Sequence, residues 1–405
     1  MASAPTHRWT FRARFRRHAF GWKSQPAIKR IREATSEIKK VSRKDMALAA
    51  EGAVLFLERL SPAIEQVDSS SGSIGAAVSK SIDVLVPIIA EAPADAETRG
   101  RWLERLFEAH ADDEIPYIES LTESWGTLCA STEMASQWAD QLLDVTRRVL
   151  GDYDGARGFF HGSTACLSAL HAAGRHNELI EILSAEKFWP YKRWMVKALA
   201  SLGRTSWAVE LAESCRGPWS SNWDIDRLCE GILLSCGEVD EAYERYGLRA
   251  STATTYLATF RAVVKKYTHK PPAEILDDLI ASTPGDKGKW FATAKTAKLY
   301  DLAIDLVKTS PCSPQTLTRA ARDFAEKEPV FALEAGLAAL RWIADGYGYD
   351  ITGSDVLAAY EHTVTAATHA GCMAETRQRL VGMLGQDARG ARYLASVLRG
   401  RIESL

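Results

Sequence analysis

A glycine-anchored pattern that occurs four times constrains the fold of this 405-residue chain more than any other feature. In each copy a helix-forming stretch ends at an anchor, the fifth residue beyond it is apolar or small, and the seventh is acidic. The anchors are Gly174, Gly203, Gly237 and, in the place of glycine, Lys298; the fifth residues are Leu179, Ala208, Ala242 and Ala303; the acids are Glu181, Glu210, Glu244 and Asp305. Glycine accepts the left-handed backbone of a tight turn, and a small residue lets two helices approach closely. The pattern predicts four helical hairpins.

The rest of the chain also has helical periodicity, and no segment alternates as a half-buried strand does. Residues 24–41 place isoleucines on one stripe, with Pro26 near the start of the predicted helix. Thr352 and Asp355 form a capping pattern for a helix that we expect to end at Gly371. The sequence therefore predicts an all-α fold.

The copy GEVDEAYERY (237–246) resembles the second helix of a tetratricopeptide repeat. This resemblance covers residues 160–310, and the anchors are spaced by 29, 34 and 61 residues rather than by a steady 34. It implies a TPR-like α-solenoid of irregular antiparallel hairpins, whose concave groove binds a protein or peptide. Across the whole chain, segments such as IPYIESLTESWGTLC are similar to bacterial repeat proteins, which implies no mechanism.

Short breaks separate the predicted helices, and none is long enough for a flexible linker. We expect four consecutive regions. They are a basic aromatic arm with the first amphipathic helix (1–44), N-terminal hairpins (45–155), a TPR-like repeat region (156–310) and C-terminal capping helices (311–405).

The N-terminal arm differs in charge from the rest of the chain. Residues 1–44 carry a net charge of +11, whereas the remaining 361 residues carry −13. Basic and aromatic side chains are mixed along RWTFRARFRRHAFGWK, and the candidate contact residues are Arg8, Trp9, Arg12, Arg14, Arg16, Arg17, Trp22 and Lys23. Such an arm suits nucleic acid, because cations meet phosphates and rings stack on unpaired bases. It equally suits an acidic protein surface, including that of its own body, or an anionic membrane.

Five of the twelve tryptophans lie between residues 189 and 223, interleaved with cations. Together they form a candidate protein- or peptide-binding surface, consisting of Trp189, Lys192, Arg193, Trp194, Trp207, Arg216, Trp219 and Trp223. Tryptophan and arginine are common in binding surfaces, which supports this interpretation. The simpler alternative is that the large rings fill gaps between neighbouring hairpins.

Catalytic signatures are weak throughout the sequence. TPGDKGKW (283–290) lacks the first glycine and the final Ser or Thr of a phosphate-binding loop, and neither HExxH nor GxSxG occurs. HADDE (110–114) supplies metal-ligand residue types but fits a solvated helix end. We therefore expect a non-enzymatic protein without cofactor or metal.

Seven scattered cysteines, with no CxxC pair, indicate reduced thiols in a cytoplasmic protein, with Cys229 and Cys236 both in the core. No uninterrupted apolar run reaches 18 residues, so no transmembrane segment is predicted. The pattern favours an interaction scaffold that binds a protein or peptide. The alternative is a nucleic-acid-associated accessory protein that uses the basic arm.

Overall fold

The computed structural model describes residues 7–150, 158–218, 220–385 and 389–403, without the side chain of residue 403. Over these residues the chain consists of helices and short connections, and no strand is present in that part. The all-α prediction is confirmed. The chain divides into two units, Met1–Ile225 and Asp226–Leu405, called unit 1 and unit 2 below. The predicted boundary between residues 155 and 156 lies outside the described residues.

Unit 1 begins with a short 3-10 segment, Phe11–Ala13, and has a second one at Glu119–Ser124. Its α-helices are α1 (Ser24–Ser42), α2 (Met46–Ile64), α3 (Ser73–Glu91), α4 (Ala96–Ala111), α5 (Trp125–Cys129), α6 (Thr132–Leu150), α7 (Ser163–Ala172), α8 (His176–Ile182), α9 (Trp189–Ser201) and α10 (Thr205–Ser214). Helix α11 (Asn222–Ser235) spans the division between the units.

Unit 2 begins with a helix that contains an irregular turn. It is formed by α12 (Val239–Ala242), a π-helical turn (Tyr243–Gly247) and α13 (Leu248–Ala250). The further helices are α14 (Tyr256–Lys266), α15 (Pro272–Ala281), a 3-10 segment (Lys287–Trp290), α16 (Phe291–Thr296), α17 (Tyr300–Thr309), α18 (Pro314–Phe324), α19 (Pro329–Ala344), α20 (Gly353–Ala370), α21 (Met373–Leu384) and α22 (Arg389–Glu403).

The four anchor residues all adopt the left-handed backbone conformation. Their φ angles are 72° at Gly174, 73° at Gly203, 84° at Gly237 and 62° at Lys298. In each turn the amide of the next residue donates to the carbonyl five positions earlier, as Arg204 N does to Leu199 O at 2.9 Å. This is the hydrogen bond of a Schellman motif, which ends a helix at a left-handed residue. The predicted left-handed turns are confirmed.

The fifth residue after each anchor is completely buried, and the acid two positions later is exposed. Helix α7 packs on α8, α9 on α10, and α16 on α17. A small buried residue in the second helix permits this close packing. At the Gly174, Gly203 and Lys298 turns the hydrophobic spacing that identified the hairpins therefore corresponds to the packed faces of their helices.

The core of unit 2 is centred on α19, which packs against α18, α20 and α22. The predicted capping box is present, since Thr352 Oγ1 accepts from the Asp355 amide while the Asp355 side chain accepts from the Thr352 amide. Gly371 follows α20 with a φ of 71°, as predicted.

One helix in the described part of the chain, α3, is long and apolar enough to cross a membrane by length and composition. Its 18-residue window has a mean hydropathy of 1.6, and 44% of the window is buried inside the protein. Helix α3 packs against α1, α2 and α5, and it contains Lys80 and Asp83. A core helix passes the same test, so this is weak evidence for a membrane span.

The prediction of two core thiols is half wrong. Cys229 is fully buried, whereas Cys236 is exposed one residue before the Gly237 turn. Seven residues advance a helix by almost two turns, but α11 ends at Ser235 and leaves Cys236 in the solvent-facing corner.

Candidate functional site

The N-terminal arm packs on α2 through its aromatic side chains. Trp9, Phe11 and Phe15 are 6%, 2% and 1% exposed. The rings of Phe11 and Phe15 contact that of Phe56 edge-to-face, with centroids 5.4 Å and 5.0 Å away. The indole of Trp9 packs against Gly52, where a Cβ atom would come within 2.1 Å of the ring. The aromatic half of the arm is therefore part of the core of unit 1.

Polar contacts fix the arm along its length. The Thr10 amide donates to Glu37 at 2.8 Å, and Arg14 pairs with Glu33 at 2.9 Å. Arg30 and Arg14 lower the pKa of Glu33 by hydrogen bonding and by charge. Further along, the His18 amide donates to Pro62 O at 2.8 Å. Of the alternatives that the sequence left open, docking on its own body is the arrangement that the structure has.

The cations of the arm face outward. Arg8, Arg12, Arg14, Arg16, Arg17 and Lys23 are exposed, together with Lys29, Arg32, Lys39 and Lys40 of α1. We call these ten residues the basic face. Trp22 beside them is 72% exposed, whereas Trp9 is buried and its ring is closed to a stacking partner. The arm therefore presents charge with a single exposed tryptophan rather than a row of rings.

A groove between α1 and α3 extends the basic face. It has a volume of about 360 Å³ and is lined by Arg32, Lys39 and Lys80, with several hydroxyl side chains. Thr35 Oγ1 in this groove donates to Ser81 Oγ at 3.0 Å. Cations and hydroxyls are groups that bind phosphate oxygens.

The first half of the tryptophan cluster is buried. Trp189, Trp194 and Lys192 are 5%, 3% and 8% exposed. Lys192 Nζ donates to the carbonyls of Leu183 and Ser184 at 3.0 Å and 3.1 Å, just beyond the end of α8, and burial lowers its pKa. These three side chains stabilise the packing of α8 and α9 and present no binding surface, so here the simpler alternative holds.

Two of the predicted cations are held in ion pairs within unit 1. Arg193 pairs with Glu123, and Arg216 pairs with Glu213 three residues before it. Trp219 lies outside the described residues. The remaining tryptophans, Trp207 and Trp223, are 47% and 44% exposed.

Two apolar side chains, Leu202 and Trp207, are exposed around the turn between α9 and α10. Leu202 is 38% exposed, and Arg204 Cζ lies 5.7 Å from the ring centroid of the exposed Trp207. We call these three residues the aromatic corner. Phe188, which precedes α9, is also 44% exposed. The corner combines the two residue types that dominate binding hot spots, tryptophan and arginine.

A cluster of ionisable side chains lies beneath the surface of the same unit. Burial, together with His176 and Lys197, lowers the pKa of His171 to about 4. Burial lowers the pKa of Lys197 to about 8, and its Nζ lies 3.9 Å from the ring centroid of Trp194. Ser201 Oγ lies 3.2 Å from His171 Nε2. An imidazole with so low a pKa is a poor general base near neutral pH, so this pair does not resemble an activated nucleophile.

Sequence reasoning missed a cavity in unit 2. It has a volume of about 590 Å³, is open to solvent on one side, and is lined by the π-helical turn, the loop 251–255, the start of α14 and the end of α15. The wide spacing between the anchors Gly237 and Lys298 was its only signal in the sequence. Within the described ranges no group of three His, Cys, Asp or Glu side chains lies close enough to hold a metal ion.

The fold and these surfaces define an all-α protein with left-handed hairpin turns and an outward-facing basic arm. No family model, curated protein or solved structure matches the chain. The resemblance to tetratricopeptide repeats is therefore supported by the sequence pattern alone and stays a prediction.

Proposed function

We propose that this protein is a non-enzymatic helical-repeat scaffold of the cytoplasm that binds a protein or peptide partner through the aromatic corner of unit 1. The proposal includes a TPR-like stacking of hairpins. Its main support is the exposure of Trp207 beside Leu202 and Arg204, at a turn whose two helices are otherwise well packed. Large apolar side chains left exposed on a rigid element are typical of interaction sites.

The energetics favour Trp207 as the main contact of such a surface. Trp207 lies on α10, which packs on α9 through a face with the fully buried Ala208 and Ala212, so the backbone that carries the ring is already ordered before binding. Arg204 beside the ring can pair with a carboxylate of the partner. Removal of a central tryptophan from an interface typically weakens binding by about 2 kcal/mol or more, which is about thirtyfold.

Affinity purification from the source cells tests this proposal. Wild-type protein should retain a defined partner at a stoichiometric amount, and Trp207→Ala and Arg204→Ala should each lose most of it. Tyr349→Ala is the matched control, because Tyr349 is an exposed aromatic residue in unit 2, at 89%. Equal recovery by Trp207→Ala and Tyr349→Ala would exclude the aromatic corner as the site.

A second candidate function is the binding of nucleic acid by the basic face. It is favoured by the segregation of the arm, in which Trp9, Phe11 and Phe15 are buried while the cations are exposed. Since Trp9 is buried, contacts to phosphate should dominate over base stacking. Such binding is insensitive to base sequence and weakens steeply with salt.

Fluorescence anisotropy with a labelled single-stranded oligonucleotide distinguishes this function. The triple variant Arg12→Gln/Arg16→Gln/Arg17→Gln should bind more weakly, and its salt slope should be smaller by roughly 0.7 for each phosphate that it no longer neutralises. All three side chains are exposed, so the fold should persist. No binding by the wild-type protein at low salt would rule the function out.

A further inference from the structure

The cavity of unit 2 shares no residue with the aromatic corner or the basic face and has no part in the proposed function. Its volume of about 590 Å³ falls within the range of small-molecule sites. The π-helical turn Tyr243–Gly247 forms one wall, and it places the rings of Tyr243 and Tyr246 beside the cavity. Turns of this kind are rare and occur frequently at functional sites.

The floor of the cavity is apolar. Tyr246, Leu279 and Trp290 are each 2% exposed. The rings of Tyr256 and Trp290 meet at an interplanar angle of 87°, with centroids 4.6 Å apart. This edge-to-face contact fixes both rings against each other in the wall of the cavity.

The polar atoms of two aromatic side chains in the cavity wall, Tyr243 and Trp290, form hydrogen bonds inside the protein. Tyr243 Oη donates to Asp278 at 2.5 Å, and Trp290 Nε1 donates to Thr283 Oγ1 at 2.7 Å. Burial and this contact with Asp278 raise the pKa of Tyr243, which keeps the phenol neutral. These two side chains therefore require no hydrogen bond from a ligand, and an apolar ring can lie on the floor without leaving their polar atoms unpaired.

The rim carries two arginines on neighbouring turns of the helix. The Cζ atoms of Arg245 and Arg249 lie 5.1 Å and 6.0 Å from the ring centroid of Tyr246. Arg249 Nε and Nη2 also donate to Asp226, which is 3% exposed, at 3.1 Å and 3.2 Å. This pairing fixes the guanidinium without using its Nη1 group. Arg245 pairs with Glu241 at 2.5 Å, so both guanidinium groups at the rim have a carboxylate partner. A guanidinium carries five N–H donors, so an anionic group at the rim can share these cations with their partners.

We propose that this cavity binds a small ligand that combines a planar ring with one anionic group, namely a carboxylate, phosphate or sulfonate. The ring lies on the floor, and the anion is bound by Arg245 and Arg249 at the rim, beside the hydroxyls of Thr252 and Thr254. Glu244 also lines the cavity and is exposed. Its carboxylate repels the anion, so its removal should strengthen the binding of an anionic ligand, whereas removal of an arginine should weaken it.

A matched pair of fluorescent probes tests the proposal on the full chain. The anionic probe is 8-anilinonaphthalene-1-sulfonate, and N-phenyl-1-naphthylamine is its analogue without the sulfonate. Wild-type protein should bind the sulfonate with one saturable site of higher affinity. Arg245→Gln should weaken it about tenfold, the usual effect of losing a charge-assisted hydrogen bond, and leave the neutral probe unchanged. Glu244→Gln should strengthen the binding of the sulfonate probe a few-fold.

Two further variants locate the site and control for surface charge. Thr254→Trp, which fills the mouth, should abolish the saturable site for both probes. Arg322→Gln should change neither, since Arg322 is exposed in unit 2 and pairs with Asp323. Arg249→Gln removes the ion pair of the buried Asp226, so Arg245→Gln, whose Glu241 partner is exposed, is the decisive substitution. Equal sulfonate binding by wild type and Arg245→Gln, a parallel loss of both probes in that variant, or no saturable site would overturn the proposal.

Discussion

Substitution of Gly52 by alanine should destabilise unit 1 because Trp9 occupies the space of the new methyl group. A Cβ at this position would lie 2.1 Å from Trp9 Cζ2 and 2.5 Å from Cε2, far inside van der Waals contact. Such overpacking costs about 1–3 kcal/mol. Alanine inside a helix is favoured over glycine by about 1 kcal/mol. The difference predicts a net destabilisation of about 0–2 kcal/mol.

The effect of Gly52→Ala on the stability of unit 1 should reverse from destabilising to stabilising when the indole of Trp9 is removed. In a Trp9→Ala background the three closest atoms to the new methyl group are removed and the helix preference dominates, so Gly52→Ala should stabilise by about 0.5–1 kcal/mol. The coupling energy of the double-mutant cycle is therefore about 1–3 kcal/mol.

Hydrogen exchange of the buried amides of α2 measures both effects in unit 1 without requiring the two units to unfold together. Exchange at residues 8–15 in the same experiment reports release of the arm. If Gly52→Ala had the same sign and size in both backgrounds, Trp9 would not lie on Gly52, and the docked arm would be wrong.

Three further predictions concern the turns, the thiols and a buried imidazole. Lys298→Gly should stabilise unit 2 by about 1 kcal/mol, whereas Gly203→Ala should destabilise unit 1 by a similar amount, because a side chain strains the left-handed conformation; chemical denaturation measures both. Among the cysteines, the exposed Cys236 should react first with a thiol reagent. Cys129 should react only on unfolding, because it is buried and burial raises its pKa to about 12. Mass mapping of the labelled protein measures the order of reaction, and the reverse order would contradict this prediction. The folded state lowers the pKa of His171 to about 4 from the ordinary 6.5, so the unfolded chain takes up this proton first and unit 1 should lose up to about 2 kcal/mol as pH falls from 6.5 to 4. His171→Gln should flatten that pH dependence in denaturation curves, and an unchanged slope would contradict the assignment.

The turns of this fold could be predicted from sequence because their signals are local. A left-handed residue at the end of a helix, such as Gly203, is recognised from one position and its periodic neighbours. Lys298 is identified through the spacing of the residues around it, although lysine itself gives no turn signal. The capping box of Thr352 and Asp355 is equally local.

The functional surfaces depended on long-range packing and could not be predicted in the same way. Trp194 and Trp207 lie in similar sequence surroundings, yet the first is 3% exposed and the second 47%. Which of two tryptophans faces the core depends on neighbouring helices that sequence spacing does not identify. The cavity beside Tyr246 depends on a π-helical turn, which has no recognised sequence pattern, and on side chains up to Trp290.

Site-specific photo-crosslinking in the source cells tests the central claim, that the aromatic corner binds a protein or peptide partner. Benzoylphenylalanine is placed at position 207 in one strain and at position 349 in another, two exposed aromatic sites in different units. The proposed function predicts one discrete covalent adduct from position 207 and none from position 349. No adduct from position 207, or the same adducts from both positions, would contradict it.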